Sequence, residues 1–217
     1  IMAVSEIKPA EYHQVDIEEV VADCKHLNDE QRKQLAELLS KYTKLFDGTL
    51  GRYPHETVHL DVDPTAKPVH RRAYPVPHIH RKVFKDELDR LVRIGVLKKV
   101  GRSEWALPTF VIPKKDQTVR WVSDFRALNK VLKRKVYPLP IISEILERRK
   151  GYKFFTKLDV SMQFYTFELD EESKRLCTIA TPFGLCQYQR LPMGVAQSPD
   201  IAQEHIKRTL EDLMNEV

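Results

Sequence analysis

The 217-residue sequence predicts an α+β fold, because runs with strand periodicity and runs with helix periodicity are mixed along the chain without regular alternation. Hydrophobic residues at 42% and charged residues at 31% place it among chains able to build a core, far from the disordered regime. The length suits one large domain, or a medium one with an extension.

Residues 1 to about 26 read as an acidic, weakly patterned lead-in. From 27 to 46, Leu35, Leu38, Leu39, Tyr42 and Leu45 fall at helical spacing, with Asn28 or Asp29 available to cap the first turn and Asp47-Gly48 to stop it. Over 49–77, Val58, Leu60 and Val62 alternate with polar residues before four prolines, which predicts a short strand and an extended linker. A second helix is expected over 78–94, closed by Gly95. Strands are expected at 96–100, 108–113 and 118–124, the last two joined by a polar Lys-Lys-Asp-Gln hairpin tip. Residues 141–149 read as a short helix ended by Gly151. Four further strands are predicted at 154–160, 164–170, 176–182 and 185–191, with Asp170-Glu171-Glu172 and Pro182-Phe183-Gly184 as turns. A final helix is expected over 198–215, with Ser198 as N-cap and Pro199 at its first position.

Charge is distributed unevenly. Residues 66–135 carry 19 basic against 6 acidic side chains, whereas 1–65 carry 7 against 13 and 136–217 carry 10 against 12. A concentrated positive stretch is what a surface following a phosphate backbone needs, although a solvated lysine-rich face gives the same count. No apolar run approaches the roughly 18 residues that cross a bilayer, so an intracellular protein without a membrane partner is expected. Cys24, Cys177 and Cys186 share no metal-ligand spacing, and reduced buried thiols are the reading adopted. Neither Asp47-Gly48-Thr49, whose order is wrong for an aspartic protease, nor the His78/His80 pair makes a site.

Asp159 is the first candidate for chemistry, a carboxylate at the end of an apolar predicted strand with Phe164 five residues on. A turn or cap residue would look the same. A magnesium site for phosphoryl transfer takes two or three carboxylates on rigid elements, and the residues after Asp159 hold no Asp-Asp pair on a hairpin.

The run WALPTFVIPKKDQTVRWVSDFRALNK, then YPLPIISEILE, then KFFTKLDVSMQFYTFELDEESKRLCTIATPFGLCQYQRLPMGVAQSPDIAQ, resembles the reverse transcriptases of gypsy-type long-terminal-repeat retrotransposons, from about residue 50 onward. The resemblance implies the fingers and part of the palm of a right-hand polymerase over 78–217, an antiparallel sheet with packed helices. It also implies that 1–77 is the segment joining protease to polymerase. By the same resemblance Lys114, Lys115 and Arg120 clasp the triphosphate of an incoming nucleotide, while Asp124, Arg126 and Gln203 lie along the template. Asp159 would be the first catalytic aspartate and, with the carbonyl of Val160, a metal ligand. Phe164 would be the steric gate against a 2′-hydroxyl, and Met193 would pack near the nucleotide's 3′ side. Bland alternatives stay open: an exposed hairpin lysine at 115, a structural Asp124–Arg126 salt bridge and a core-packing Phe164.

The family's expected cofactor is Mg2+, in a two-metal site. Its expected partners are an RNA or DNA template-primer, deoxynucleoside triphosphates and the remainder of a polyprotein, in a cytoplasmic particle with a nuclear stage. The Asp-Asp hairpin of the family is absent from the 217 residues, so negligible polymerase activity is expected of them alone. A non-catalytic nucleic-acid-binding module, or a co-opted scaffold docking through the helix at 27–46, are the competing readings.

Overall fold

A computed structural model describes residues 13–153 and 155–213, which form two compact units. The smaller, Ala10–Gly51, holds two helices. Helix α1, Ile17–Asp23, lies where the sequence showed little pattern. It starts because the Asp16 carboxylate accepts from the backbone N–H groups of Glu18 and Glu19. Helix α2, Asp29–Ser40, opens with a reciprocal capping box between Asn28 and Gln31, which satisfies two otherwise orphaned donors. It ends before the predicted boundary, and a 3-10 turn, Thr43–Leu45, follows. Gly48, at φ 76°, is needed where it stands, since a Cβ there would lie 2.7 Å from the His13 carbonyl.

The larger unit is built on a five-stranded sheet. Helix α3, Arg81–Arg93, buries Phe84, Leu88 and Leu91 on one stripe and hands over through Gly95, at φ 75°, to strand β1, Leu97–Val100. The hairpin is β2, Leu107–Pro113, with β3, Val119–Ser123. Later come β4, Thr178–Thr181, and β5, Gly184–Tyr188, in the spatial order β1-β5-β4-β2-β3. Three pairings are antiparallel. The fourth, β2 with β4, is parallel over Leu107–Pro108 and Ile179–Ala180, because no hairpin dictates the direction of two strands so far apart in sequence. The first two residues of β2 therefore belong to the main sheet, while its other five, Thr109 to Pro113, pair only with β3. Phe84 of α3 meets Trp121 of β3 at 4.7 Å between ring centroids, which seats the helix on the sheet.

Around the sheet lie α4, Arg126–Asn129; α5, Ile142–Arg148; α6, Glu171–Leu176; and α7, Ser198–Thr209. Buried Asp200 of α7 accepts from the Arg134 guanidinium at 2.7 Å and from the Tyr137 N–H at 3.1 Å, fixing the strap that follows α4. In contrast, the stretch from 136 to 160 leaves Val136, Ile142, Leu146, Phe155 and Leu158 each more than 60% exposed.

Several sequence expectations are corrected. Residues 155–160 form no strand, because no neighbouring strand among the described residues satisfies their backbone groups; Phe154 lies outside the described residues. The run 164–170 is a 3-10 turn, Gln163–Thr166, followed by single bridges from Glu168 to Arg190 and from Leu169 to Val58. The expected strand near Val58–Val62 is likewise two isolated bridges, and residues 52–77 are tied into the larger unit, for instance by the Tyr53 N–H to the Thr166 carbonyl at 2.8 Å. Asp170 is the N-cap of α6, its carboxylate accepting from the Ser173 N–H at 2.8 Å, instead of a turn residue. Helix α7 has Gln197 as N-cap, one residue before the expected Ser198, whose hydroxyl donates to the Pro192 carbonyl. It stops at Thr209, and residues 214–215 of the predicted span lie outside the described residues.

Truncating Leu88→Ala, fully buried where α3 meets the sheet, is expected to cost about 2–5 kcal/mol of the larger unit's stability. Urea denaturation followed by circular dichroism measures it; a loss under about 1 kcal/mol would mean that α3 does not seal this core.

Candidate nucleotide and template site

The hairpin tip is shaped by Asp116, whose carboxylate accepts from the Thr118 N–H at 2.9 Å and from the Thr118 hydroxyl at 2.7 Å. These bonds hold the Asp116 carboxyl below its ordinary range. Gln117 takes the left-handed conformation at φ 64°, and backbone bonds join Lys114 to Thr118 and Gln117 across the turn. Along β3 the period of two then sorts the side chains: Val119 and Trp121 are buried, and Arg120 between them is exposed. Lys115 is exposed and Lys114 half-buried. The side chains of Lys115 and Arg120 make no hydrogen bond or ion pair among the described residues, so these cations stand ready for an outside anion.

Just past β3, Asp124 and Arg126 form a bidentate pair, with Nε to Oδ1 at 2.8 Å and Nη2 to Oδ2 at 2.7 Å. Asp124 is 7% exposed and Arg126 80%. The Tyr74 hydroxyl donates to Asp124 Oδ2 at 2.9 Å from a segment fifty residues earlier. The Arg126 guanidinium, then its N–H and the Tyr74 hydroxyl, hold the Asp124 carboxyl far below the usual carboxylate range against the opposing cost of burial. A buried anchor thus fixes an exposed guanidinium, which suits a backbone-phosphate contact. The same ion pair serves the fold whether or not a template is bound.

Met193 is brought to the same place. The Asn129 side chain at the end of α4 donates to the Gly194 carbonyl at 2.9 Å and accepts from the Ala196 N–H at 2.9 Å. Gly194, at φ 97°, lies so close to β3 that a Cβ would sit 3.4 Å from the Ser123 carbonyl. Met193 is presented on this strapped loop, 58% exposed.

Phe164 lies half-buried in the 3-10 turn Gln163–Thr166, which begins at Met162 in the left-handed region at φ 54°. Helix α7, carrying half-buried Gln203, packs against this turn. Asp159 and Val160 stand apart from this order, exposed in the irregular stretch 155–160. Among the described residues, Asp159 makes no hydrogen bond or ion pair, and no group of three His, Cys, Asp or Glu side chains suited to a metal occurs. One carboxylate and one carbonyl oxygen do not fit the near-octahedral demands of magnesium, so these residues alone do not make the two-metal site.

Tyr74 and Asn129 were missed in the sequence. Tyr74 carried no signal, since its partner is remote in the chain. Asn129 did: a side chain with both donor and acceptor at the end of the Ser-Asp-Phe-Arg-Ala-Leu-Asn run is suited to strapping a loop.

Residues 112–217 match the family model described as reverse transcriptase (RNA-dependent DNA polymerase). An uncharacterised protein of Caenorhabditis elegans is 31% identical over 81% of this chain, which spans 14% of that protein. The retrovirus-related Pol polyprotein from transposon 297 of Drosophila melanogaster is 28% identical over 88% of the chain, which spans 18% of it. The chain therefore spans less than a fifth of either relative's length. A foamy viral protease-reverse transcriptase, solved with an RNA/DNA hybrid, superposes over 97% of this chain and 29% of its own, with a TM-score of 0.79 and 23% identity. The fold is that of a reverse transcriptase, and the chain carries part of a reverse transcriptase domain of the retrotransposon polyprotein kind.

Because the Asp124 carboxyl is held low in the folded state, its contribution to stability is complete above the unfolded value near pH 3.9 and is lost as pH falls toward the folded value. The stability gap between the native chain and Asp124→Asn is expected to be constant above about pH 5 and to shrink below about pH 4, as read by urea midpoints across a pH series. A gap that stays constant down to pH 2 would contradict the strength assigned to the Arg126 and Tyr74 bonds.

Proposed function

We propose that the chain is the fingers and part of the palm of an RNA-directed DNA polymerase from a gypsy-type retrotransposon polyprotein. The observation that carries this reading is the hairpin: Lys115 and Arg120 stand exposed and unpaired beside Lys114, while buried Trp121 anchors the strand that bears them. In the complete enzyme these cations take the triphosphate of a deoxynucleoside triphosphate, through charge-assisted bonds made as the hairpin closes. Arg126, fixed by Asp124, grips the template backbone, and Gln203 lies along the same strand. Phe164 stands under the sugar and excludes a 2′-hydroxyl, with Met193 packed at its 3′ side. Asp159, with the Val160 carbonyl, would supply one edge of a magnesium site whose remaining carboxylates lie elsewhere. The setting is a cytoplasmic particle, with a template-primer and the rest of the polyprotein as partners.

A second reading, a nucleic-acid-binding module without catalysis, is favoured by one observation: Asp159 lies exposed in an irregular segment, and no group of three His, Cys, Asp or Glu side chains suited to a metal occurs among the described residues. Both readings expect the 217 residues alone to extend no primer. Template-dependent synthesis with magnesium and deoxynucleotides, abolished by Asp159→Asn, would refute that expectation. Both also expect salt-dependent binding of a template-primer duplex. Fluorescence anisotropy is expected to give affinities falling with salt, and Arg126→Ala to reduce the log–log slope by about 0.9. A flat salt response would remove both readings and leave the co-opted scaffold.

A further inference from the structure

Helix α4, Arg126–Asn129, is a single turn with no side-chain cap at its start, so the hydrogen bonds within it cannot hold it in place. It is fixed from outside. Leu128 is fully buried, Arg126 at the first position is clamped to Asp124, and Asn129 at the last is bonded to the loop at 192–198.

The Asn129 side chain uses both its donor and its acceptor. Its NH2 group donates to the Gly194 carbonyl at 2.9 Å and its oxygen accepts from the Ala196 N–H at 2.9 Å, so a carbonyl and an N–H two residues apart select one orientation of the amide. The loop also closes on itself. Ser198 donates from its hydroxyl to the Pro192 carbonyl at 2.7 Å and from its N–H to the Val195 carbonyl at 3.1 Å. Pro192, Val195, Gln197 and Ser198 are buried, whereas the Met193 side chain stands exposed on this bonded backbone. An unbranched thioether has three rotatable bonds and is at most a weak acceptor, so what it excludes is decided by where its backbone stands.

We infer that Asn129 is a positioning residue that, through α4, holds Met193 at a set distance from Arg126 and so makes the 3′ side of the bound nucleotide selective. It acts through Met193 and touches no nucleotide itself. A template strand gripped at Arg126 fixes the nucleotide that pairs with it, and Met193 can exclude a bulky 3′ substituent only if its loop is fixed relative to that strand. Arg126 and Asn129, three residues apart on one helical turn, supply that link. Asn129 is half-buried, so water can replace its bonds when the side chain is removed, and the loss falls on the loop's position more than on the fold. The inference rests on the placing of Arg126 and Met193 in the preceding section and adds the residue that ties the two together.

The test is equilibrium dialysis of the 217-residue chain, saturated in magnesium with a template-primer duplex whose templating base is thymine, against dATP, ATP and 3′-O-methyl-dATP. The native chain is expected to bind dATP more tightly than 3′-O-methyl-dATP, and Met193→Ala to bring that ratio close to one. Asn129→Ala is expected to narrow it about threefold to tenfold, the worth of one net hydrogen bond. The ratio of dATP to ATP, assigned to Phe164, is expected to keep its native value in Asn129→Ala, which a general loosening of the site would not allow. Circular dichroism confirms the fold of each variant. If Asn129→Ala fails to fold, Asn129→Asp, which keeps the oxygen for Ala196 and loses the donor to Gly194, decides by the same two ratios. A 3′ ratio unchanged in the folded variant, or both ratios falling together, overturns this inference and leaves the assignment of Met193 intact. Absence of dATP binding, absence of 3′ discrimination in the native chain, or its persistence in Met193→Ala, overturns that assignment and the inference together.

Discussion

Strand β2 belongs to two ladders in succession, and the layout of the candidate site depends on that division. Leu107 and Pro108 lie in the main sheet beside β4, and from Thr109 onward the strand has only β3 for a neighbour. A ribbon of two strands leaves the sheet, rooted at one end in the core and free at its tip. The tip carries Lys114 and Lys115, while the root carries the buried hydroxyls of Thr109 and Ser123. Bending of a hairpin rooted in this way would leave the ladder of the main sheet intact.

Electrostatics on this framework separates exposed, uncommitted charge from charge already chelated. Lys115 and Arg120 are exposed, with no ion pair among the described residues, whereas Arg126 is oriented by a carboxylate buried beneath it. The first kind can follow a ligand that arrives and leaves; the second gives a fixed point on a surface. Both kinds fall within the basic middle of the sequence, where 19 cationic side chains face 6 acidic ones between residues 66 and 135.

Much of the fold could be read from the sequence where a pattern was local. Helix α3 followed from its apolar spacing and Gly95, and the β2–β3 hairpin from alternation around a polar tip. The runs 155–160 and 164–170 were misread because alternating apolar residues describe a strand's side chains and say nothing of whether a partner strand is present to bond its backbone. The cap at Asp170 was legible in principle, since an aspartate three residues before a serine N–H donor is an ordinary helix start. For the site, the family resemblance singled out Lys114, Arg120, Asp124 and Arg126. Tyr74 could not be found that way, because its role exists only through a contact made fifty residues away.

The exposed apolar side chains within 136–153 and 155–160 have a practical consequence for this stretch of polypeptide. Water gains by leaving aliphatic side chains such as Val136, Ile142, Leu146 and Leu158, so two molecules meeting there lower their free energy by sticking together. The pull grows with concentration and with temperature over the ordinary range. Dilute, cool and low-salt solutions therefore favour dispersed molecules, whereas sulfate or phosphate precipitants strengthen clumping through these side chains.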